Sequence, residues 1–417
     1  MSNAHSRNTV RYYIIIVLFL SFLFFSNDFG LLDVQKTAIV MAAGIDREED
    51  TFIVTSQIAI PQSSKQGKAS ETVQIVSRGK TVAEAFEDIN AKTGWYPKLV
   101  FCKLILLGEK ATEQNVFDAL EFFLRDEYLT DNCLVATCTG TAYTLLNEPA
   151  LVDPSTSVAI GKILSPHAAR VGTVLTSTLR EFSIGYFSES KSGYLPIVKK
   201  EEQQEGVGNT PSQDQGSSSE GGQSQNQSQG GSSQSGSSSQ GGGQATGKKP
   251  LFSASETALF VDGIKVGALS AEETFAFISV QNKLKLASYS VEDAGKTCIF
   301  TVKRNDKKTK FSVGEGGRAQ LKIEVVMTAG ILDFSKALPL EDVSDVGDAP
   351  TAYFALAEKK LKGEITTVFE KCRKVGCDLF GLKERLEKYE KKHFHSLKDI
   401  ILEGAIAEVS VTFRNVR

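Results

Sequence analysis

The chain has 417 residues, enough for two or three domains, and 41% of them are hydrophobic, as in a globular protein with a core. A formal net charge of −3 argues against nucleic acid as a partner, because that affinity comes from neutralising many phosphates. The four histidines leave little material for His-based catalysis or metal binding.

The N-terminus carries an apolar run behind two arginines, Arg7 and Arg11. The run covers 14 residues, or roughly 21 Å as a helix, which is short for a bilayer core of ~30 Å and typical of a signal-type segment. A retained signal anchor and a cleaved signal peptide both remain open, and in either case the chain after residue 30 is exported. The predicted membrane anchor consists of Tyr12, Tyr13, Ile14, Ile15, Ile16, Val17, Leu18, Phe19, Leu20, Phe22, Leu23, Phe24 and Phe25.

The first folded part is predicted over 31–200. Two strands, 37–46 and 51–60, flank a charged turn and form a hairpin, and a third strand covers 72–79. Thr81 with Glu84 three residues later predicts a capping box that opens a helix. Further helices and strands alternate, and the strand at 99–108 is apolar enough to be central. This order predicts a mixed sheet with helices packed on it. Aromatic residues at helical spacing are predicted to belong to the core: Phe117, Phe122, Phe123, Phe182, Tyr186 and Phe187.

A low-complexity segment separates this part from the rest of the chain. Of the 36 residues from 212 to 247, 31 are Ser, Gly or Gln. Such a composition cannot bury apolar surface, so it predicts a flexible linker over 201–250. We expect it to join two folded parts without fixing their orientation. A Gln-rich interaction tract is the alternative.

The second folded part is predicted over 251–417. Asp262-Gly263 predicts a hairpin turn, and Ser270 with Glu273 predicts a capping box. A long amphipathic helix over 350–376 and a closing strand follow. The predicted fold class is α+β, with mixed β-sheets packed with helices, two principal folded parts joined by a disordered Ser/Gly/Gln linker, and an N-terminal membrane segment in 1–30.

The sequence contains no nucleophile elbow, P-loop, H-E-x-x-H or C-x-x-C motif. Cys372, Cys377, His393 and His395 form a loose set whose spacing is unlike that of zinc sites. We therefore predict no catalytic residue, no cofactor and no metal. Six cysteines are too few for a disulfide scaffold; pairing of Cys372 with Cys377 stays open beside the alternative of buried free thiols.

An ordered series of segments carries a family resemblance. It runs GLLDVQKTAIVMAAGID, TSQIAIP, RGKTVAEAFEDI, LVFCKLILLGEKA and ALEFFLRDEYLTDNCLVATCTGTAYTLL before the linker. After the linker come ETALFVDGIKVGALSAEET, GCDLFGLKERLEKYEKKHFHSLKDI and IAEVSVTFRNV. This series resembles the Ger(x)C family, the C subunits of nutrient germinant receptors in spore-forming bacteria. The positions that match the family are Asp46, Gly79, Thr81, Glu109, Arg125, Asp126 and Asp378. Their predicted roles are structural or interfacial.

Family members are typically lipoproteins with a cysteine directly after the signal segment. Here that stretch reads Ser26-Asn27-Asp28-Phe29-Gly30, without cysteine, so we expect the apolar segment itself to supply the anchor.

The resemblance implies a non-catalytic subunit at the extracytoplasmic face of the spore inner membrane. Its implied partners are integral-membrane A-type and B-type receptor subunits and the membrane, with no nucleic acid. Two rivals stay open. An extracytoplasmic solute-binding module that captures the germinant itself predicts a sizeable apolar pocket with convergent polar groups between the two folded parts. A cell-wall hydrolase needs paired carboxylates in a cleft.

Overall fold

The structure is a computed structural model that describes residues 12–21, 37–59, 72–201, 250–293, 295–314, 316–335 and 351–416. Within these ranges, helix α1 covers 12–21, and its apolar side chains are all more than half exposed. The four remaining anchor residues, Phe22 to Phe25, and residues 202–249 of the predicted linker lie outside the described residues. No helix in the described ranges combines the length and the apolar character needed to cross a membrane.

The first sheet has the strand order β3-β2-β1-β5-β6-β7-β8-β9, and the short β4 also pairs with β1. Strands β1, β5, β6 and β7 run parallel in its centre, and the pairs at both edges are antiparallel. The strands are β1 Thr37–Glu48, β2 Thr51–Ala59, β3 Thr72–Gly79, β4 Tyr96–Lys98, β5 Leu104–Leu107, β6 Leu134–Cys138, β7 Ser192–Glu201, β8 Leu251–Val261 and β9 Ile264–Leu269.

Helices cover both faces of this sheet, as its alternating side chains require. Strand β5 is central as predicted, but it covers only Leu104–Leu107 of the predicted 99–108, because a turn occupies 99–102. Its Ile105 and Leu107 face one apolar core, and Leu104 and Leu106 face another. Helices α2, α3 and α7 pack on the first face, and α4 and α5 pack on the second. The helices are α2 Val82–Thr93, α3 Phe117–Arg125, α4 Ala142–Asn147, α5 Thr156–Ile163, α6 Pro166–Arg170 and α7 Leu179–Phe187.

The second sheet has the order β10-β11-β12-β13, with only the β12–β13 pair parallel. Helices α8 and α9 pack against its apolar face in a common core. The elements are α8 Ala271–Val280, β10 Ala287–Asp293, β11 Lys296–Val313, β12 Ala319–Phe334, α9 Thr351–Lys374, α10 Leu382–Tyr389, α11 Lys391–Leu397 and β13 Ile406–Asn415. The predicted α+β class is confirmed.

The first sheet continues on both sides of the predicted linker. β7 ends at Glu201 and β8 begins at Leu251, and these two residues are antiparallel partners. The sequence places β8 and β9 in the second folded part, but β8 pairs with β7 and β9 pairs with β8, so both strands belong to the first sheet. The expectation that the linker leaves the orientation of the two parts unfixed is not met, because composition says nothing about whether the flanking strands pair. The division into domains itself stays a prediction.

Local signals describe several turns and caps correctly. Asp262 and Gly263 both have positive φ (50° and 75°) and join β8 to β9 in a two-residue turn. Ser270 and Glu273 form the predicted capping box of α8. At α2 only half of the predicted box forms: Thr81 Oγ1 accepts from Glu84 N, but the Glu84 carboxylate accepts from Lys80 N instead of Thr81 N.

One predicted core residue is on the surface. Phe187, at the last turn of α7, is 72% exposed, although its ring touches that of Phe117. Helical spacing predicts on which face of a helix a residue lies, but it does not predict how far along the helix the packed core extends.

Candidate functional site

A cleft of about 560 Å³ opens at the carboxyl ends of the parallel strands β1, β5 and β6. The last residues of β1 and the segments that follow β5 and β6 supply most of its wall, and β2 and β3 supply the remainder. Open sheets with parallel centres bind ligands at this edge, because loops from neighbouring strands converge there. The cleft is therefore the candidate functional site of the described residues.

Asp46, predicted as a family position, forms the floor of the cleft. It is 7% exposed, and its Oδ1 and Oδ2 accept hydrogen bonds from Ala142 N (2.8 Å) and Tyr143 N (2.9 Å) at the start of α4. Burial raises the pKa of this carboxyl, and the two backbone donors oppose that rise. Because both oxygens are already engaged with the helix, Asp46 is suited to hold α4 against β1, and it is poorly placed for proton transfer.

Two glycine-containing loops complete the floor. A Cβ at Gly108 would lie 1.9 Å from Asp46 Oδ1, so only glycine leaves room for the carboxylate there. The next residue, Glu109, accepts a hydrogen bond from Gly140 N through Oε2 (3.1 Å) and donates its own N–H to Gly140 O (2.8 Å). The loops after β5 and β6 are thus joined to each other and to the end of β1.

Charged side chains of both signs form the rim. Arg47 is 3.0 Å from Asp118, and Arg78 is 3.3 Å from Glu48. In the described part of the chain, Lys110 has no ion-pair partner, and it faces the cleft with Glu113 and Tyr143. A rim with unpaired charge and an aromatic ring suits the binding of a polar ligand or a protein loop. Lys110 is not among the candidate site residues predicted from the sequence. The signal that could have identified it is its position in the segment that follows the buried strand β5.

The family positions in and after α3, and at the start of α2, make contacts within their own local structure. A Cβ at Gly79 would lie 2.6 Å from Ala85 N, so glycine permits the close turn from β3 into α2. Arg125 forms an exposed ion pair with Glu121 on the same helix. Asp126 Oδ1 accepts from Tyr128 N and Leu129 N, both at 2.9 Å, and so ends α3 in a side-chain turn.

Asp378 lies far from the cleft, where the second sheet meets the first. Its two oxygens accept from Leu382 N (2.7 Å) and Lys383 N (2.8 Å) at the start of α10, and its N–H donates to Ser192 Oγ in β7 (2.9 Å). The thiol of Cys377 beside it donates to Phe260 O in β8 (3.5 Å). Burial raises the pKa of the Asp378 carboxyl. This loop joins the two sheets.

No group of three or more His, Cys, Asp or Glu residues in the described ranges could hold a metal ion. Cys372 and Cys377 are buried and unpaired, and His393 and His395 are exposed. Burial raises the pKa of Cys377 to about 12, so this thiol stays protonated.

Two family models match the chain in order. Residues 32–200 match the spore germination protein N-terminal domain, and residues 255–414 match the C-terminal domain described as spore germination B3/GerAC like. Together they cover more than three quarters of the chain. The chain therefore belongs to the Ger(x)C family of spore germination proteins, as the resemblance predicts.

A curated relative and a solved structure agree with this assignment. Spore germination protein B3 of Bacillus subtilis (strain 168) is 28% identical over 194 residues, which are 45% of this chain and 50% of that protein. The chain thus matches about half the length of that relative. The fold is similar to that of the GerBC protein, whose crystal structure superposes with a TM-score of 0.50 at 18% identity, over 90% of this chain and 97% of that one.

Proposed function

We propose that this chain is a non-catalytic, membrane-anchored subunit of a spore nutrient germinant receptor and acts through contacts with other proteins. The observation that carries the proposal is the pair of family matches, which occur in order on one continuous fold. The chemistry of the cleft supports it, because the buried carboxylate there already accepts two backbone hydrogen bonds.

The proposed partners are integral-membrane A-type and B-type receptor subunits, and the proposed location is the extracytoplasmic face of the spore inner membrane. The apolar segment from Tyr12 to Phe25, behind Arg7 and Arg11, is the proposed anchor. The cleft supplies the proposed contact with a partner, since its rim offers Lys110, Glu113 and Tyr143.

Affinity isolation of the tagged full chain from detergent-solubilised spore membranes tests this proposal. We expect integral-membrane subunits to be recovered with the wild-type chain and to be reduced with Lys110→Glu. The matched control is Lys303→Glu, which reverses the charge of another exposed lysine, on β11 of the second sheet. Recovery of no membrane protein with the wild-type chain would contradict the proposal, and equal losses with both variants would contradict the role of the cleft.

A second candidate function is direct capture of the germinant. It is favoured by the cleft itself, because about 560 Å³ lies within the ordinary range of small-molecule sites. The cleft belongs to the first sheet, whereas this rival predicts a pocket between the two folded parts. Titration calorimetry of the full chain with amino acids and sugars separates the candidates: saturable heat that Lys110→Glu removes and Lys303→Glu retains would favour capture.

A further inference from the structure

A group of exposed apolar side chains lies at the amino-terminal edge of the parallel strands, the edge opposite the cleft. We call it the aromatic edge. Its members are 37–57% exposed, and they are Trp95, Tyr96, Val100, Phe101, Leu124 and Tyr128. Contiguous exposed apolar surface on a globular protein commonly marks a contact with a partner or a lipid surface.

The local structure brings these residues together. Helix α2 ends at Gly94 with a left-handed φ of 71°, and the chain passes directly through Trp95 into β4. A turn closed by Cys102 N donating to Leu99 O (2.8 Å) follows, and it leaves Phe101 exposed. At the end of α3, the Tyr128 ring lies 4.9 Å from Lys98 Nζ, which joins the α3 end to β4.

The position of this edge indicates its occupant. Tyr96 is the strand partner of Thr37, the first residue of β1. The apolar N-terminal run ends at Phe25, only 12 residues earlier, a span of at most about 43 Å. The aromatic edge therefore lies where the chain enters the fold from its membrane segment. Tryptophan and tyrosine are the residues that concentrate at the interface between bilayer and water, and lysine is favoured beside them.

We propose that the aromatic edge docks on the lipid surface of the membrane that holds the N-terminal segment; this inference rests on the anchoring proposed above. Charges of both signs border the edge: Lys98 is half-buried and Glu127 is exposed. Burial of aromatic surface, and not attraction to anionic headgroups, then supplies the affinity, so docking persists at high salt. Because nine residue steps of β1 separate Thr37 from Asp46, the cleft is held roughly 30 Å further out and faces away from the lipid.

Trp95 makes this inference directly measurable, because it is the single tryptophan of the chain. The experiment reconstitutes the full chain into vesicles of phosphatidylcholine and phosphatidylglycerol, with and without bromine on the acyl chains. We expect bromine to remove most of the Trp95 emission, at low and at high salt. The variant F101S/Y128S should restore the emission while the chain still floats with the vesicles, because its anchor is intact.

The matched control moves the tryptophan to the opposite end of α3. In W95F/F187W the indole replaces Phe187, whose ring lies 5.8 Å from that of Phe117 at the opposite end of α3 from Tyr128. Emission from this variant should be unaffected by bromine.

The outcomes separate the two proposals. A chain that floats with vesicles but keeps full Trp95 emission in brominated lipid overturns docking and leaves anchoring intact. A chain that does not float overturns both. Trp95 emission could instead change only after integral-membrane receptor subunits are added to the vesicles. That result would assign the aromatic edge to a protein partner and overturn the lipid assignment.

Discussion

Buried carboxylates that accept backbone N–H groups fix two loops of this protein. Asp46 holds the start of α4, and Asp378 holds the start of α10, each through both of its oxygens. Such caps satisfy donors that a helix start leaves unpaired and interact favourably with the helix dipole. The role of Asp46 depends on the space at Gly108.

We expect Gly108→Ala to destabilise the fold by about 2–3 kcal/mol, because the new Cβ displaces the Asp46 carboxylate and with it the cap. Urea unfolding followed by circular dichroism measures this. Gly161→Ala is the matched control: it lies in the interior of α5 with nothing within 4 Å of the added Cβ, so it should be neutral or stabilising by about 0.5–1 kcal/mol. Equal effects of the two substitutions would refute the role of Gly108.

At the scale of elements, the contact between α9 and β10 carries a partly buried charge. Tyr289 of β10 donates to Glu364 Oε2 on α9 (3.1 Å), and Lys360 Nζ lies 3.7 Å from Glu364 Oε1. Burial raises the pKa of Glu364, and Lys360 and Tyr289 oppose that rise. The charged form of Glu364 is thus disfavoured in the fold despite its cation.

This raised pKa predicts how stability depends on pH. The folded protein binds the Glu364 proton more tightly than the unfolded chain, so this group stabilises the fold fully below about 4.5 and less as pH rises through the folded pKa. The stability of Glu364→Gln relative to wild type should therefore increase from pH 4 to pH 8 in urea unfolding.

A control of opposite sign is Asp88→Asn. The ammonium of Lys92 lowers the pKa of Asp88, so this carboxylate stabilises the fold above its unfolded pKa of about 3.8 and the contribution is lost as pH falls. Asp88→Asn should therefore lose stability relative to wild type as pH rises through the acid range up to about 3.8, whereas Glu364→Gln gains stability relative to wild type as pH rises above about 4.5. If both differences change in the same direction, the interpretation of Glu364 is wrong.

At the scale of the whole molecule, the two sheets form one connected structure across the predicted linker. The partners Glu201 and Leu251 close the linker as the loop of a hairpin between β7 and β8. The loop at 377–378 and the ion pair of Lys371 with Glu273 (2.6 Å) attach the second sheet to this region. The length of the linker should then affect the free energy of unfolding through the entropy of loop closure. It should leave the orientation of the two sheets unchanged, because contacts outside the linker hold them together.

Replacing residues 202–250 by a four-residue turn should raise the free energy of unfolding by roughly 2 kcal/mol, because closure cost grows with the logarithm of loop length. An intermediate Gly/Ser loop of half the natural length should raise it by only about 0.6 kcal/mol. Urea unfolding of the three chains measures the series. If the strands did not pair across the linker, the short turn would disrupt the fold and lower stability.

Local sequence patterns determined much of this protein: the family, the α+β class, the Asp262-Gly263 turn, the Ser270–Glu273 capping box and the central position of β5. These depend on residues close together in the chain, so periodicity and capping chemistry suffice to predict them. The tertiary structure alone decided that Asp46 caps a helix 96 residues further on, that β7 and β8 pair across 49 residues, and that the cleft and the aromatic edge occupy opposite ends of one sheet. Each of these depends on the order and direction of strands in space, because strand neighbours are chosen by the packing of whole faces and not by the residues next to them in the chain.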